Sequence, residues 1–434
     1  MTPQLAGILG IVALVVLIFL RIPVGISLIF VGFFGYVGIE GWARAATILG
    51  STPFNIAGGY SLSVVPLFVL MGEVASASGM SSRLFTGARA VFGRMKGALA
   101  YATIGANAGF GAVCGSSVAS AATMTRICVP EMQDHGYDDR LATGSVAAGG
   151  TLGILIPPSL ILVIYAVIAQ ESVSRLFAAG LLPGIVLTVL YMLVVTVLVK
   201  IFPSFAPENP ALSRSERFRQ ILGIWEFALL FGASVGGIYA GFFSPTEAAA
   251  IGAFLAIVIG FATGGLDYKK LISSILATLR TTAMLFMIIL GAYVFSYFVV
   301  QARLPDALIE WIQSVGMGPL GLMLTLVLAY VILGCFLEGI GLVLITVPVF
   351  LPVVVASGFD PVWFGVIVVI VVEMGLINPP VGMNLFVIQA QLPNTPILAI
   401  YTGTLPFLIA PLVLIGILLA FPDLALFLPR LLFG

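Results

Sequence analysis

The sequence predicts an all-α polytopic membrane protein in which two inverted repeats each contain a re-entrant hairpin and a broken helix. Three observations predict this fold. Hydrophobic residues make up 61% of the 434-residue chain and charged residues 8%, whereas charged residues form about a quarter of a soluble domain. A proline-pair motif occurs twice at one fixed spacing, and two long apolar stretches have polar centres.

The repeated motif divides the chain into two similar halves. Residues 153–158 read Gly-Ile-Leu-Ile-Pro-Pro and residues 375–380 read Gly-Leu-Ile-Asn-Pro-Pro, an offset of 222 residues. Because proline lacks a backbone N–H and disfavours helix at the residue before it, each copy must interrupt a helix. Broken apolar helices at matching positions of two halves are typical of a transporter's binding site. The same offset relates Pro130 to Pro352 and residues 136–138 to residues 358–360.

Ten apolar runs approach the ~20 residues that an α-helix needs to cross the hydrocarbon core of a bilayer. The first run follows Met-Thr-Pro-Gln, which carries no basic side chain, so we expect it to remain as a span rather than to be cleaved as a signal peptide. The ten runs are residues 4–20, 22–40, 57–79, 139–170, 177–200, 221–240, 243–263, 279–301, 361–391 and 397–420.

Two further apolar stretches are expected to be re-entrant hairpins. Residues 97–132 have the centre Cys-Gly-Ser-Ser, and residues 318–356 have the centre Glu-Gly-Ile-Gly. Each could form two crossings joined by a tight turn, but irregular backbone at membrane depth is tolerated only where it is buried in protein or lines a cavity. A re-entrant hairpin suits such a turn better. The amphipathic segments before the hairpins, 83–95 and 303–314, are expected to lie along the membrane interface as arms.

Charge distribution gives the orientation. Hairpins return to the side that they left, so each half has five crossings, and an odd number inverts the second half relative to the first. With the N-terminus outside, thirteen of the eighteen Lys and Arg residues fall on the inner side, as the positive-inside rule requires. The first repeat is predicted to span residues 1–202, a cytoplasmic linker residues 203–220 and the second repeat residues 221–434, with both termini outside.

A helix broken inside the membrane can bind ions, because it frees carbonyl groups at one end and N–H groups at the other. Carbonyls with Ser, Thr or Asn side chains form an oxygen cage for a small cation. Adding the offset to Ser116 gives Glu338, so we expect the two hairpin tips to face each other. The candidate cation-site residues on tips and breaks are Ser116, Ser117, Thr151, Gly153, Pro157, Glu338, Gly339, Gly375, Asn378, Pro379 and Asn384.

The second arm of the first hairpin, together with Asn384, supplies the candidate substrate contacts Ser120, Thr123 and Arg126. Ser120 and Thr123 either contact substrate or are small residues that pack helices together, and the same packing alternative applies to Ser116 and Ser117 at the tip. An arginine in a hairpin arm is costly unless it is paired, snorkels or binds an anion. Arg126 therefore binds a substrate carboxylate or sulfonate, pairs with an acid such as Glu131, or snorkels. Acids in or near the membrane are default functional candidates, and these are Glu73, Glu226, Glu247 and Glu373.

Other classes of function find no support in the sequence. The net charge is zero, which does not suggest a nucleic-acid partner. The three cysteines lack CxxC spacing and His135 is the only histidine, so neither a disulfide nor a site for a metal such as zinc is expected. No Walker A pattern is present, so an ion gradient is the expected energy source rather than ATP hydrolysis. No HExxH or nucleophile motif indicates an enzyme.

At these motifs the chain resembles the large membrane subunit of tripartite ATP-independent periplasmic (TRAP) transporters. The resemblance spans nearly the whole length. At Ser120 many relatives carry Asp, and at Arg126 the family often has a small residue. The matching stretches are residues 115–119, 130–132, 136–138, 153–159, 244–248 and 375–386.

The resemblance implies an elevator-type secondary transporter of the ion transporter superfamily kind, in the bacterial inner membrane with periplasmic termini. It implies sodium ions as the driving cofactor and sodium sites between each hairpin and the facing helix break. A periplasmic binding protein would deliver a small organic anion, and a separate small four-helix membrane subunit would complete the transporter. The alternative is a membrane channel or scaffold subunit without alternating access, which would not need paired inverted breaks.

Overall fold

The structure, a computed structural model, describes residues 2–207, 213–335 and 337–434. Within these residues all regular secondary structure is helical, which confirms the predicted all-α class. Part of the predicted linker, residues 208–212, and one residue of the second predicted hairpin, Phe336, lie outside the described residues.

The first half contains ten α-helices among its described residues. They are α1 (Pro3–Phe19), α2 (Val24–Glu40), α3 (Trp42–Ala57), α4 (Val64–Ala77), α5 (Met80–Phe92), α6 (Ala98–Cys114), α7 (Ser117–Asp134), α8 (Asp139–Leu155), α9 (Leu160–Ala169) and α10 (Val173–Ile201).

The helices after residue 213 complete the chain, and a π-helical segment, Gly232–Gly236, joins the second and third of them. They are α11 (Arg214–Leu222), α12 (Trp225–Phe231), α13 (Gly237–Tyr239), α14 (Pro245–Ala262), α15 (Tyr268–Gln301), α16 (Leu304–Val315), α17 (Pro319–Gly334), α18 (Gly339–Ala356), α19 (Pro361–Ile377), α20 (Met383–Gln391), α21 (Ile397–Thr404), α22 (Ile409–Ala420) and α23 (Asp423–Phe433).

The helix bounds recur at the spacing of the sequence motif. The bounds of α7 and α18, and those of α8 and α19, differ by 222 residues at both ends. Local chemistry explains the match. Gly136 and Gly358 adopt φ of +75° and +87° after the hairpins, a conformation that glycine adopts without strain. Asp138 and Asp360 then cap the next helices by accepting backbone N–H groups. The recurrence supports the division into repeats, and their inversion stays a prediction.

Both proline pairs interrupt helices at the predicted places. Helix α8 ends at Leu155 and α9 begins at Leu160, while α19 and α20 are separated by residues 378–382. Ser159 closes the first break, since its hydroxyl donates to the Ile154 carbonyl and accepts the Leu162 N–H at 3.2 Å. The broken helices of the sequence prediction are therefore present in the structure.

One missed helix and two boundaries need correction. Helix α3 was not predicted, because Trp42–Ala57 mixes polar residues into its apolar pattern and buries only one face. The matching residues of the second half form the start of α15, which begins at Tyr268 and not at residue 279. The predicted linker 203–220 is also partly helical. Helix α11 begins inside it, where Ser213 and Glu216 form a capping box.

Seven helical segments of the described chain are long and apolar enough to cross a membrane, and the pair α4 and α5, bent by 69°, makes an eighth if it is one span. Six of the ten predicted crossings coincide with one of these seven segments. The remaining predicted crossings fall on α1 and α2, on the bent pair, and on α19 with α20. Helices α1, α2 and α19 are apolar but only 17 residues long.

The two halves are intertwined. Helix α2 packs along α15 and helix α14 packs along α4, so the second crossing of each half lies against the third crossing of the other. The first of these contacts is very close, because a Cβ atom built on Gly291 would lie 2.5 Å from the Gly25 carbonyl oxygen. Helices α6, α7 and α9 pack against α8, and helices α17, α18 and α20 pack against α19. This arrangement positions the hairpin tips.

Candidate functional site

The tips of the two hairpins meet at a small cavity of about 50 Å³. Ser116 and Glu338 are the N-caps of α7 and α18. The Ser116 hydroxyl accepts the Ala119 N–H at 3.4 Å and the Glu338 carboxylate accepts the Gly341 N–H at 3.2 Å. Two helix N-termini and their capping oxygens thus face one space. The cavity is lined by Gly115, Ser116, Ser117, Val118, Ile154, Leu160, Ile161, Glu338, Gly339, Ile340 and Leu376.

A hydrogen bond between Ser117 and Asn384 joins the first hairpin to the second break. The Asn384 Nδ2 atom donates to the Ser117 hydroxyl at 2.7 Å. Ser117 is 3% exposed and Asn384 is 0% exposed. The Asn384 Oδ1 atom is buried without a hydrogen-bond partner in the described structure. A buried amide oxygen is costly to leave unsatisfied, so this atom is an available ligand for a cation.

Each hairpin tip is also tied to the break of its own half. The Leu160 N–H donates to the Gly115 carbonyl at 3.5 Å, which connects the first tip to the break that contains Pro157. In the second half, the Asn378 Nδ2 atom donates to the Cys335 sulfur at 3.1 Å, and that thiol contacts the Pro379 carbonyl at 3.8 Å. Movement of a tip is therefore coupled to the geometry of its break.

Gly153 and Gly375 lie beside this cavity at close helix contacts. A Cβ atom built on Gly153 would lie 2.9 Å from the Gly111 Cα atom, and one built on Gly375 would lie 2.7 Å from the Gly334 carbonyl oxygen. These glycines let α8 touch α6 and let α19 touch α17. The contacts bring the broken helices against the hairpins, and the residues that follow the glycines line the cavity.

Thr151 is placed away from the tips. Its hydroxyl donates to the Ala148 carbonyl at 2.7 Å and shares a hydrogen bond of 3.0 Å with the Tyr191 hydroxyl on α10. It is not among the cavity-lining residues. Of the eleven candidate cation-site residues, Ser116, Ser117, Glu338 and Gly339 line the cavity and Asn384 bonds to Ser117. The structure directs Thr151 to a helix-packing contact instead.

The candidate substrate residues on α7 point to three different neighbours. Ser120 is buried and its hydroxyl donates to the Asn107 Oδ1 atom at 3.1 Å, inside the hairpin. Thr123 and Ser76 share a hydrogen bond of 3.4 Å between their hydroxyls. Arg126 is exposed, and its Nε atom donates to Gln391 at 2.7 Å. These residues therefore do not converge with Asn384 on one site.

The ion pair suggested between Arg126 and Glu131 is replaced by another. Glu131 pairs with Arg89 of α5, so this alternative for Arg126 is wrong. Arg89 can reach Glu131 because α5 and α7 pack side by side, a proximity that sequence spacing does not show.

The four acids in or near the membrane have different surroundings. Glu73 is half-buried in α4, and its backbone carbonyl accepts the Ser274 hydroxyl at 3.5 Å. Glu226 forms an ion pair with Arg83 at 2.7 Å, and Glu247 completes the capping box of Ser244. Glu373 is fully buried in α19, and neither of its carboxylate oxygens has a hydrogen-bond partner in the described structure. Adding the repeat offset to Thr151 gives Glu373. The second half therefore carries acids where the first carries hydroxyls, as Ser116 and Glu338 also show.

The donor set at the tips suits a small hard cation. The Ser116 and Ser117 hydroxyls, the backbone of the tips and the single carboxylate of Glu338 line the cavity, and the Asn384 amide lies next to it through its bond to Ser117. Backbone and side-chain oxygens of this kind coordinate sodium in transporters with broken helices. Among the described residues, no group of three or more His, Cys, Asp or Glu side chains is placed so that it could hold a metal ion. The sequence did not single out the apolar lining residues Ile161 and Leu376, although Leu376 lies inside the second proline-pair motif.

Residues 11–424 match the family described as the tripartite ATP-independent periplasmic transporter, DctM component. The chain belongs to this family. It is therefore a large permease component of a TRAP transporter, as the sequence resemblance indicated. The match covers both repeats, both hairpins and both proline-pair motifs.

Curated relatives of this TRAP large permease differ in substrate. The chain is 33% identical to the sialic acid TRAP transporter large permease protein SiaM of Vibrio cholerae, over 96% of this chain and 97% of that one. It is 35% identical to the C4-dicarboxylate protein DctM of Pseudomonas aeruginosa, with 86% of each covered. It is 32% identical to the ectoine protein TeaC of Halomonas elongata, over 86% of this chain and 87% of that one.

Solved structures show the same fold. The chain is similar to the Alcanivorax borkumensis YdaH transporter, with a TM-score of 0.63 and 17% identity over 89% of this chain and 90% of that one. It is also similar to Neisseria gonorrhoeae MtrF, with a TM-score of 0.55 and 18% identity over 88% of this chain and 85% of that one. At this level of identity the likeness concerns the fold.

Proposed function

We propose that this TRAP large permease takes up a small organic anion across the bacterial inner membrane, driven by a sodium gradient. A periplasmic binding protein delivers the carboxylate or sulfonate, and a small four-helix membrane subunit completes the transporter. The family match supports this reading. Relatives of similar identity are named for sialic acid, for C4-dicarboxylates and for ectoine, so the family alone does not select among these substrates.

The observation that carries the proposal is the junction of the two hairpin tips. Ser117 and Asn384 connect the halves across 267 residues, and the Oδ1 atom of the same Asn384 amide is buried without a hydrogen-bond partner in the described structure. A sodium ion held by these oxygens, by tip and break carbonyls and by Glu338 would fix both tips in one geometry. Sodium binding would therefore prepare the adjacent substrate site, which is the coupling that a symporter needs.

An elevator movement follows from the division of the chain. The first two crossings of each half and the arms, α5 and α16, form the scaffold, while the hairpins and broken helices form the mobile transport domain. Hydrogen bonds inside the transport domain, such as that of Asn378 to Cys335, hold its parts together as one body. The substrate and sodium then cross the membrane with the domain.

The decisive experiment is uptake into proteoliposomes that contain this chain and the small subunit, with binding protein loaded with labelled sialic acid, a C4-dicarboxylate or ectoine outside. We expect uptake only with an inward sodium gradient and only with the binding protein. Uptake that needs neither would favour the alternative, a channel or scaffold subunit without alternating access.

Ser117→Ala and Asn384→Ala should raise the sodium concentration for half-maximal uptake. An unchanged value in both variants would remove the site assignment.

A further inference from the structure

A second polar cavity, of about 380 Å³, lies between the arm α5 and the hairpin helix α7. It is separate from the tip cavity, because none of its lining residues lines the other. Arg126 follows Ser117 by nine residues on α7, which places it about 13 Å along the helix from the tip. In the predicted orientation this is the cytoplasmic end of the hairpin. The lining residues are Ser82, Phe85, Thr86, Arg89, Arg126, Ile127 and Glu131.

The charges in this cavity are unbalanced. Arg89 and Glu131 pair with each other, and Arg89 also contacts His135 at 3.2 Å between Nη2 and Nε2. Arg126 uses its Nε–H for Gln391, and no carboxylate of the described chain pairs with it. The guanidinium group carries five N–H donors. Arg126 lines the cavity, and its other N–H donors have no carboxylate partner in the described chain. The charged lining residues, Arg89, Arg126 and Glu131, therefore leave one positive charge uncompensated.

Packing of an arm against a hairpin does not require these charges. Adding the repeat offset to Arg89, Arg126 and Glu131 gives Trp311, Pro348 and Val353. Helices α16 and α18 contact each other in the second half, where these three positions are apolar. The charged cluster therefore lies beside the hairpin that is predicted to enter from the cytoplasm and has no counterpart beside the other hairpin.

We propose that this cavity is an anion-binding station, in which Arg126 receives a small oxyanion, carboxylate or sulfonate, through charge-assisted hydrogen bonds. The exposed Ser82 hydroxyl on the opposite wall can donate a further hydrogen bond to the anion. The neighbouring Thr86 hydroxyl donates to the Ser82 carbonyl at 2.9 Å, so Thr86 lines the wall without contributing a donor. Arginine suits this task because its planar fork matches the two oxygens of such groups. The station rests on the proposed function in one respect: its ligand is the transported class of anion, held on its way from the tips to the cytoplasm.

The first test is anion binding by the purified chain in detergent, with sodium sulfate as the probe and sodium chloride at equal ionic strength as reference. We expect sulfate to slow alkylation of a Thr86→Cys variant, because an anion at Arg126 shields the opposite wall. The three native cysteines are buried and serve as the internal background. Arg126→Gln in the same background should weaken the protection by sulfate about tenfold or more, as loss of one charge-assisted contact predicts.

Matched variants separate binding from structure. Gln391→Leu keeps the guanidinium group while removing its anchor and should retain protection within about twofold. Arg126→Lys keeps the charge but loses the planar fork, so its protection should lie between that of the parent and that of Arg126→Gln. Arg214→Gln removes an exposed cytoplasmic charge outside the cavity and should have no effect. Protection that is equal in Arg126→Gln and in the parent would overturn the proposal. Loss of sulfate protection in both Arg126→Gln and Gln391→Leu would also overturn the proposal, because the role of Arg126 would then be only to connect α7 to α20.

Two comparisons identify the source of the anion and keep this proposal apart from the proposed function. Phosphatidylglycerol added to the detergent micelles presents the same oxyanion chemistry on a lipid. Protection by this lipid but not by sulfate would overturn a soluble-anion station. Sodium-driven uptake by the parent together with unaltered sulfate protection in Arg126→Gln would refute the station alone. Absence of sodium-driven uptake together with Arg126-dependent protection would refute the proposed function alone.

Discussion

Replacement of Gly375 by alanine tests how tightly helices α17 and α19 are packed at the second break, beside the candidate site. The new methyl group would lie 2.7 Å from the Gly334 carbonyl oxygen and 2.8 Å from both its carbonyl carbon and its Cα atom. All three are backbone atoms, so no side chain can rotate away. Ordinary contacts of this kind begin at 3.4 Å, and helices α17 and α19 must therefore separate by about 0.7 Å.

The expected cost is near the upper end of the range for overpacking, about 3 kcal/mol. Gly153→Ala is the matched change in the first half, where one backbone atom lies at 2.9 Å and the next at 3.5 Å. It should cost about 1 kcal/mol. Gly416→Ala is the control, since nothing lies within 4 Å of its added methyl group. There the better helix propensity of alanine should leave stability unchanged or raise it by up to about 1 kcal/mol.

The assay is thermal unfolding of the purified proteins, followed by tryptophan fluorescence in one detergent at fixed sodium concentration. At about 2 °C per kcal/mol for a large chain, Gly375→Ala should unfold roughly 6 °C below the parent and Gly153→Ala roughly 2 °C below it. Gly416→Ala should unfold at or above the temperature of the parent. A Gly375→Ala protein as stable as Gly153→Ala would refute the inference that three backbone contacts outweigh one.

Four further changes have specific expected outcomes. Ser117→Ala should raise the sodium concentration for half-maximal uptake about fivefold, because one oxygen of the proposed sodium site, worth about 1 kcal/mol, is lost. Thr346→Val removes a buried hydroxyl that bonds the Tyr330 hydroxyl, and it should lower the unfolding temperature without changing that sodium concentration. Asp138→Ala removes the N-cap of α8 and should lower the free energy of unfolding by about 1 kcal/mol, measured by denaturant titration in detergent. An effect no larger than that of an exposed substitution would argue against the cap. Glu226→Gln should cost about 1–2 kcal/mol, less than a fully buried pair, because Arg83 is 34% exposed and can be rehydrated.

Much of the fold could be predicted because its causes are local. Apolar runs of spanning length, proline pairs and glycine-aspartate turns act within a few residues, and the helices began and ended close to the predicted positions. Helix α3 was missed for the same reason. Its mixed composition gives no strong local signal, and only its contact with α2 and α15 buries one of its faces.

The candidate site was predictable in part. The motifs located both tips and both breaks, since broken helices in a membrane carry the free polar groups that bind ions. The sequence grouped Ser120, Thr123 and Arg126 because they lie on one short segment. The structure separates them, because side chains only three residues apart on a helix still meet different neighbours when several helices surround it. Glu131 likewise found Arg89 on another helix instead of Arg126.

The sequence by itself determined that this chain is a helical membrane protein with two similar halves, interrupted at the same place in each. Hydropathy and the missing N–H of proline dictate these features without reference to distant residues. Only the tertiary structure decided that Ser117 meets Asn384, that Gly375 touches Gly334 and that Arg126 faces a cavity without a carboxylate partner. Such contacts join residues far apart in the chain, and packing fixes them only when all the helices are in place.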